Sequence, residues 1–342
     1  MEKRLVVASH AAVVAGNRAP YEALSFSVSF WIPSTWTDSY RDYRVEPSEF
    51  IRPLPVWGVG RPQRYLPLRI PRSRPDFLVI EEESFSLSAW RFSRWARRRH
   101  VPYAVQAAEN MNRPLPRVAR QLRRKVLRDA QLVIGRSPAA LDRVREWGFT
   151  GDRALVVHGV EGSPRQAPRP ARLVVGFVGR LVSAKGIEDV IELARQHPEW
   201  LFRVAGDGER ASDLAAVANI ECCGPLTAAQ MGDFYDSVSI VIVPSRTTPT
   251  WTEQFGRVIV EAVYAGRPVV AYATGEIPWV SSTIGSATVD EGDLTGMARE
   301  ISWWTSLDDD AWRRRLTDMQ AAVTVHFSAA AAVAELRRAL AL

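Results

Sequence analysis

Cysteine is nearly absent from this sequence of 342 residues: Cys222 and Cys223 stand side by side and have no others to pair with. Two adjacent thiols cannot make a disulfide framework, and they lack the separation that metal ligands need. They read as buried thiols in a strand. Lysine is scarce too. Only Lys3, Lys125 and Lys185 are lysine among 44 basic residues. A bias this strong reflects coding composition, so the net charge of +6 carries little weight as an argument for nucleic-acid binding. It makes each lysine more informative as a place that wants a compact point charge, and Lys185 alone lies inside a motif. Asparagine occurs only as Asn17, Asn110, Asn112 and Asn219, and ordinary turn chemistry accounts for it. No apolar run approaches the ~20 residues of a membrane span. The start, MEKRLVVASH, has too short an apolar run for a secretory signal and continues into a plausible first strand, so a cytoplasmic protein is expected. Dense acid occurs at Asp308-Asp309-Asp310, at the start of a helix-like stretch, where acids favour the helix dipole. No metal site is expected there or elsewhere. No serine–histidine or cysteine–histidine arrangement points to a protein nucleophile.

What is present is an α/β alternation in two series. Hydrophobic residues make up 46% and charged residues 24%, ordinary for a globular chain long enough for two domains. The first series runs through RLVVAS, SFSVSFWIP, DFLVIEEES, PYAVQAAEN, AQLVIGRS and RALVVHGV. Basic helices are expected at 91–100 and 117–128. The second series comprises RLVVGFVG, LFRVAGDG, ANIECCG, VSIVIVPS and RPVVAYAT. So many βα units imply parallel, doubly wound sheets. Proline-rich EGSPRQAPRPAR divides the two series. The expected organisation is an N-terminal domain over 1–162, a linker over 163–172, a second domain over 173–325 and a final helix over 326–342.

Ligands of such sheets sit at the carboxyl ends of strands. That places His10, Gly16 and Asn17 at the rim of a site in the first half. The strand ending Glu81-Glu82-Glu83 is expected to aim its acids at solvent or a ligand, and Glu109 and Asn110 close another strand. Glu82, Glu109 and Asn110 therefore join His10, Gly16 and Asn17 as candidate ligand contacts, with a structural histidine as the plainer reading of His10. Trp31, Trp36, Tyr40 and Trp57, in a stretch of short strands and loops, are candidates for stacking; packing under long loops is their plainer role. In the second half, SRTTPTWTEQFGRVIVE follows the apolar run Ile240–Val243. A strand, a polar loop and a helix start make an anion site. Glu253 and Glu261 flank it, suited to hydroxyls on either side of a phosphate. The plainer reading has Glu253 capping the helix and Glu261 solvated.

Glu253 and Glu261, with seven residues between them in EQFGRVIVE, resemble the EX7E motif of retaining GT-B glycosyltransferases of family 4, the glycosyl transferases group 1. VGFVGRLVSAKGIEDVIEL, RVAGDGE and AGRPVVAYATGEIP resemble further motifs of that family, in its order, over roughly residues 172–290. The resemblance implies two Rossmann-like domains facing across a cleft, acceptor on the first and nucleotide sugar on the second, with the last helix crossing back to the first domain. It implies retention of configuration, no resident cofactor, and a UDP- or GDP-linked sugar as co-substrate. Arg180 and Lys185 would stabilise the leaving diphosphate. Gly179 would keep the turn open, and Gly186 would let the next helix begin close by. Phe255, Gly256 and Arg257 would add N–H donors. Glu253 would hold the donor sugar and Glu261 the ribose. Gly224 and Leu226 would read the base, with Gly206 and Gly208 at a neighbouring strand end.

The chain departs from the family in two places. Gly16-Asn17 replaces the family's Gly-Gly pair, and no histidine stands at the end of PYAVQAAEN, so that sugar contact does not carry over. The alternatives are a GT-B relative without transfer activity, such as an epimerase, or a non-enzymatic binder of anions or nucleic acid using the basic helices. The same helices suit peripheral contact with anionic lipid.

Overall fold

A computed structural model describes residues 3–37, 42–112, 114–166 and 168–340. It divides into two compact units, Met1–Val157 with Ala332–Leu342, and His158–Ala331.

In the first unit the strands are β1 Arg4–Ala8, β2 Ser27–Pro33, β3 Thr35–Thr37, β4 Asp42–Arg44, β5 Ile51–Leu54, β6 Val56–Trp57, β7 Leu66–Pro67, β8 Phe77–Glu83, β9 Tyr103–Ala107, β10 Leu132–Gly135 and β11 Asp152–Leu155. Seven form one parallel sheet in the order β11-β10-β9-β8-β1-β2-β5. Its central strands are apolar without alternation because both faces are covered. Val6, Leu78 and Val105 pack on one side, and Leu5, Val7 and Val79 on the other. The helices are α1 Ala19–Glu22, α2 Leu87–Arg98, α3 Arg117–Leu127 and α4 Pro138–Glu146. Ser86 starts α2 by accepting the Ala89 N–H at 3.0 Å. Ala89, Phe92 and Ala96 recur at helical spacing and enter the core. The basic helices use several of their arginines locally: Arg94 lies over the Trp90 ring, Arg99 over Trp95 and Arg123 over Trp147. Trp31 is a core residue, edge-on to Trp95 at 4.9 Å, so it is not available for stacking a ligand. Tyr40 lies outside the described residues.

The second unit holds β12 Val174–Val178, β13 Leu201–Ala205, β14 Ile220–Gly224, β15 Ile240–Val243, β16 Val269–Tyr272 and β17 Ala287–Val289. They form a parallel sheet in the order β14-β13-β12-β15-β16-β17. Its helices are α5 Ile187–Gln196, α6 Ala211–Leu214, α7 Ala228–Asp236, α8 Arg257–Tyr264, α9 Ile277–Ile284, α10 Leu294–Ser306 and α11 Asp309–Phe327. A last helix, α12 Ala329–Ala339, sends Leu336 into the core of the first unit, where Leu340 joins it. Cys222 is exposed and Cys223 half-buried, contrary to expectation, because β14 is an edge strand. Asp308 caps α11 by accepting the Ala311 N–H at 2.7 Å.

The division between units falls after Val157 and not within 163–172. That proline-rich stretch packs on the second unit through polar contacts that leave no hydrophobic pattern. The Arg165 N–H donates to the Tyr264 carbonyl at 2.9 Å, and Gln320 Nε2 donates to the Arg165 carbonyl at 2.9 Å. Arg169 Nη1 donates to the Leu307 carbonyl at 2.7 Å. Fully buried Arg267 gathers three carbonyls, of Tyr235 at 2.6 Å, Pro168 at 3.0 Å and Asp236 at 3.2 Å. Burial pulls its guanidinium down to about 10, yet it stays charged at neutral pH.

Replacing Arg267 with alanine strands those carbonyls and is expected to cost about 3 kcal/mol or more. Arg165→Ala breaks only the half-exposed pair with Asp236 and should cost less than about 1 kcal/mol. Urea unfolding followed by circular dichroism would compare them; equal midpoints would refute the structural role given to Arg267.

Candidate functional site

The second unit collects most of its candidate residues beyond the carboxyl ends of β12–β15. Gly179, Gly206 and Gly224 stand at the ends of β12, β13 and β14, joined in a row. The Gly179 N–H donates to the Ala205 carbonyl at 3.0 Å and the Gly206 N–H to the Gly224 carbonyl at 2.9 Å. At Gly206, with φ +148°, a Cβ would lie 1.9 Å from the Gly179 carbonyl oxygen, so a side chain would break the row. Leu226 is half-buried in the loop after β14. Arg180 is exposed, and no ion pair engages it among the described residues. A short 3-10 turn, Ser183–Lys185, leads to Gly186. Gly186 has φ +71°, and its Cβ would lie 1.9 Å from the Pro244 carbonyl oxygen. The turn before α5 therefore touches the loop after β15 backbone to backbone.

That contact brings Lys185 to Glu253. Lys185 Nζ lies 2.5 Å from Glu253 Oε2, and Ser245 Oγ donates to the same oxygen at 3.0 Å. Glu253 is buried. Gly256 is the N-cap of α8, and its N–H donates to Glu253 Oε1 at 3.4 Å. The loop after β16 closes the arrangement. The Glu276 N–H donates to the Glu253 carbonyl at 3.0 Å, and Thr274 Oγ1 donates to the Ser245 carbonyl at 2.9 Å. Phe255, Gly256 and Arg257 lead directly into α8, with Phe255 buried against Trp279 and Phe327. One turn on, Glu261 Oε1 accepts from Arg257 Nε at 2.6 Å, so this acid is held, not freely solvated. Burial raises the Glu261 carboxyl above the usual range, against the opposing pull of Arg257.

Two contributors were not singled out from the sequence. Arg246 grips Asp189 with both arms, Nε–Oδ2 at 2.5 Å and Nη2–Oδ1 at 2.6 Å, while its N–H donates to the Ala184 carbonyl at 2.9 Å. It ties the loop after β15 to α5. The available signal was Asp189, an acid set among Ile187, Val190 and Ile191. Trp251 packs its ring 4.7 Å from Lys185 Nζ. Its signal was an aromatic residue inside an otherwise polar loop.

In the first unit the expectation for the three glutamates is corrected. Glu81 and Glu82 are buried, and each of the three acids has a donor inside the protein. The pairing with β9 shifts register between Ile80 and Glu83, which turns successive carboxylates to different partners. Glu81 takes Arg136 Nη2 at 2.5 Å and Tyr21 Oη at 3.1 Å. Glu83 accepts the N–H groups of Ala108 and Glu109 at 2.7 and 3.0 Å. Glu82 binds Tyr65 Oη at 2.6 Å, and the N–H and Nδ1 of His10 at 2.8 and 2.9 Å. Glu82 is thus a support for His10, not itself an outward contact. Burial pulls the imidazole down, but the Glu82 carboxylate outweighs it and the net shift is upward. Trp36 is buried with its ring 4.9 Å from that of His10. Gly16 and Asn17 are exposed in a 3-10 turn, with Asn17 Nδ2 donating to the Ala11 carbonyl at 2.8 Å. Glu109 is buried and accepts the Met111 N–H at 3.2 Å; Asn110 beside it is half-buried. Among the described residues, no group of three or more His, Cys, Asp or Glu side chains is placed to hold a metal ion.

Comparison with known proteins matches both halves. Residues 172–306 match the family described as glycosyl transferases group 1, and residues 10–159 the glycosyl transferase 4-like domain. A D-inositol 3-phosphate glycosyltransferase of Corynebacterium aurimucosum is 28% identical over 69% of this chain and 64% of its own length. A 2-deoxystreptamine glucosyltransferase of Streptomyces kanamyceticus is 31% identical over 42% of this chain and 38% of its own. The chain thus spans less than two thirds of the curated relatives it matches. Among solved structures, a sucrose-phosphate synthase from Thermosynechococcus elongatus shares the fold at 18% identity, with a TM-score of 0.73 over 98% of both chains. Anabaena HepE, crystallised with UDP, gives 14% identity and a TM-score of 0.71 over 100% of both chains. The chain belongs to the glycosyl transferases group 1 and has their GT-B type of fold.

Proposed function

We propose that this protein transfers a sugar from a nucleotide-sugar donor to a hydroxyl acceptor, with retention of configuration and without a metal ion. The observation that carries the reading is the contact of Lys185 with Glu253 beside an exposed Arg180, at strand ends lined by glycine. Breaking the sugar–phosphate bond leaves its electron pair on the diphosphate. Fixed cations at that position stabilise the developing charge. Lys185 has three N–H donors, enough to keep Glu253 and engage a phosphate oxygen together. Arg180 offers a planar fork to the same group. Glu253, held on one side by Ser245, suits the hydroxyls of the donor sugar, and Glu261 those of the ribose. The acceptor hydroxyl attacks the face the phosphate leaves, and its proton passes to a departing phosphate oxygen, so no protein nucleophile is needed. HepE structures with UDP and with UDP-glucose support a uridine-linked donor. Acceptor-side groups in this reading are His10, Gly16, Asn17, Glu109 and Asn110.

Transfer from UDP-glucose, measured by UDP release, should persist in excess EDTA. Complete loss restored only by magnesium or manganese would overturn the metal-free reading. Arg180→Ala and Lys185→Ala should each lower turnover by roughly two to three orders of magnitude. Their stabilities should differ: Arg180→Ala melts like the parent, whereas Lys185→Ala leaves a buried carboxylate short of its cation and loses about 1–3 kcal/mol. Near-normal turnover in either variant removes that residue from the site.

Glu253→Gln should mainly lower kcat, because its contacts tighten as charge redistributes. Glu261→Gln should mainly raise the donor KM, because ribose is held equally in ground and transition states. Unchanged kinetics in both would reduce the motif to a structural one.

A further inference from the structure

The strands β6 and β7 form a small antiparallel hairpin in which Trp57 faces Leu66 and Val56 faces Pro67. Alternation along the second strand is strict. Tyr65 and Pro67 are buried, whereas Leu66 is half-buried and Leu68 exposed. On the first strand Val56 packs on the core and Trp57 turns out. The inner side is fixed, since Tyr65 Oη donates to buried Glu82 at 2.6 Å and the Leu87 N–H donates to the Gln63 carbonyl at 3.2 Å. The outer side is apolar where a solvated hairpin would be polar. Trp57 is 60% exposed and Leu68 52%, and Val59 is exposed at the turn. Of the seven large hydrophobic residues exposed among the described residues, four fall between Phe50 and Leu68.

The charge around this face has one sign. Between Val56 and Pro75 there are five arginines and no acid. Arg61, Arg64 and Arg69 are exposed beside the apolar side chains and take no part in an ion pair among the described residues. No helix among the described residues is long and apolar enough to cross a membrane. An exposed indole and leucine in a stretch whose charges are all arginine match the boundary between acyl chains and anionic headgroups. The ring and aliphatic groups enter the apolar layer, and the guanidinium groups stay with phosphate. We propose that the β6–β7 hairpin docks the first unit on an anionic phospholipid surface. This rests on the hairpin alone and stands or falls apart from the transfer reaction. It also moves the lipid contact away from the helices α2 and α3, several of whose arginines already lie over tryptophan rings of the same unit.

The test is co-sedimentation of the full chain with phosphatidylcholine vesicles, with and without phosphatidylglycerol, at two salt concentrations. The parent should pellet with the anionic vesicles and be released by salt. W57E/L68E should bind about tenfold or more weakly, and R61S/R64S/R69S should lose about fivefold per arginine at low salt. Both should melt like the parent, since the changed side chains are exposed. R120S/R124S on α3 should bind like the parent. Failure of the parent to distinguish the two vesicle types would overturn the proposal. So would unchanged binding by W57E/L68E, or loss of binding only in the α3 variant. Binding of single-stranded RNA in place of vesicles, abolished by R61S/R64S/R69S, would assign the surface to nucleic acid and overturn it equally.

Discussion

The contact between Lys185 and Glu253 holds together residues 68 positions apart in the chain. Everything around it serves to keep two loops within reach. Gly186 removes the side chain that would otherwise separate them, and Arg246 clamps the far side through Asp189. Ser245 fixes the carboxylate, and Thr274 with Glu276 brings the loop after β16 against the same point. An ion pair withdrawn this far from solvent is a weak source of net stability because both partners lose water. Its value here is positional. It sets a cation and an acceptor-only carboxylate side by side where a substrate carrying both phosphate and hydroxyls would need them.

Arginine performs much of the structural polar work. Arg267 and Arg169 gather backbone carbonyls, Arg136 pairs with Glu81, and Arg246 with Asp189. A guanidinium presents five donors in a fixed plane and so satisfies several acceptors at once. The compositional bias that made arginine uninformative in the sequence thus hid its most specific uses. In Lys185 the chain places instead a compact ammonium that two different anions can share.

The first unit answers the same problem differently. Three consecutive acids at the end of a buried strand are tolerated only because each meets donors. Glu81 meets an arginine and a tyrosine, Glu82 a tyrosine and a histidine, and Glu83 two backbone N–H groups. Tyr65 couples this cluster to the β6–β7 hairpin, so the inner side of an outward-facing apolar surface is anchored in the polar interior.

The sequence by itself determined the parallel sheets, since unbroken apolar runs separated by helical patterns allow little else. The order of the motifs was also legible, and Arg180, Lys185, Glu253 and Glu261 stood out through their resemblance to motifs of one family, because a strand–loop–helix junction is a local feature. Partnership was decided only in three dimensions. Nothing local tells that Lys185 meets Glu253, that Asp189 meets Arg246, or that Glu82 turns inward to His10. The stretch 163–172 looked like a free linker because carbonyl contacts to arginine and glutamine leave no hydrophobic period. Cys222 and Cys223 looked buried because a strand's apolar character does not reveal whether it lies at the edge. In each case the deciding energy is a hydrogen bond or a neighbour supplied by a distant part of the chain, and such terms depend on the packed sheet and not on sequence spacing.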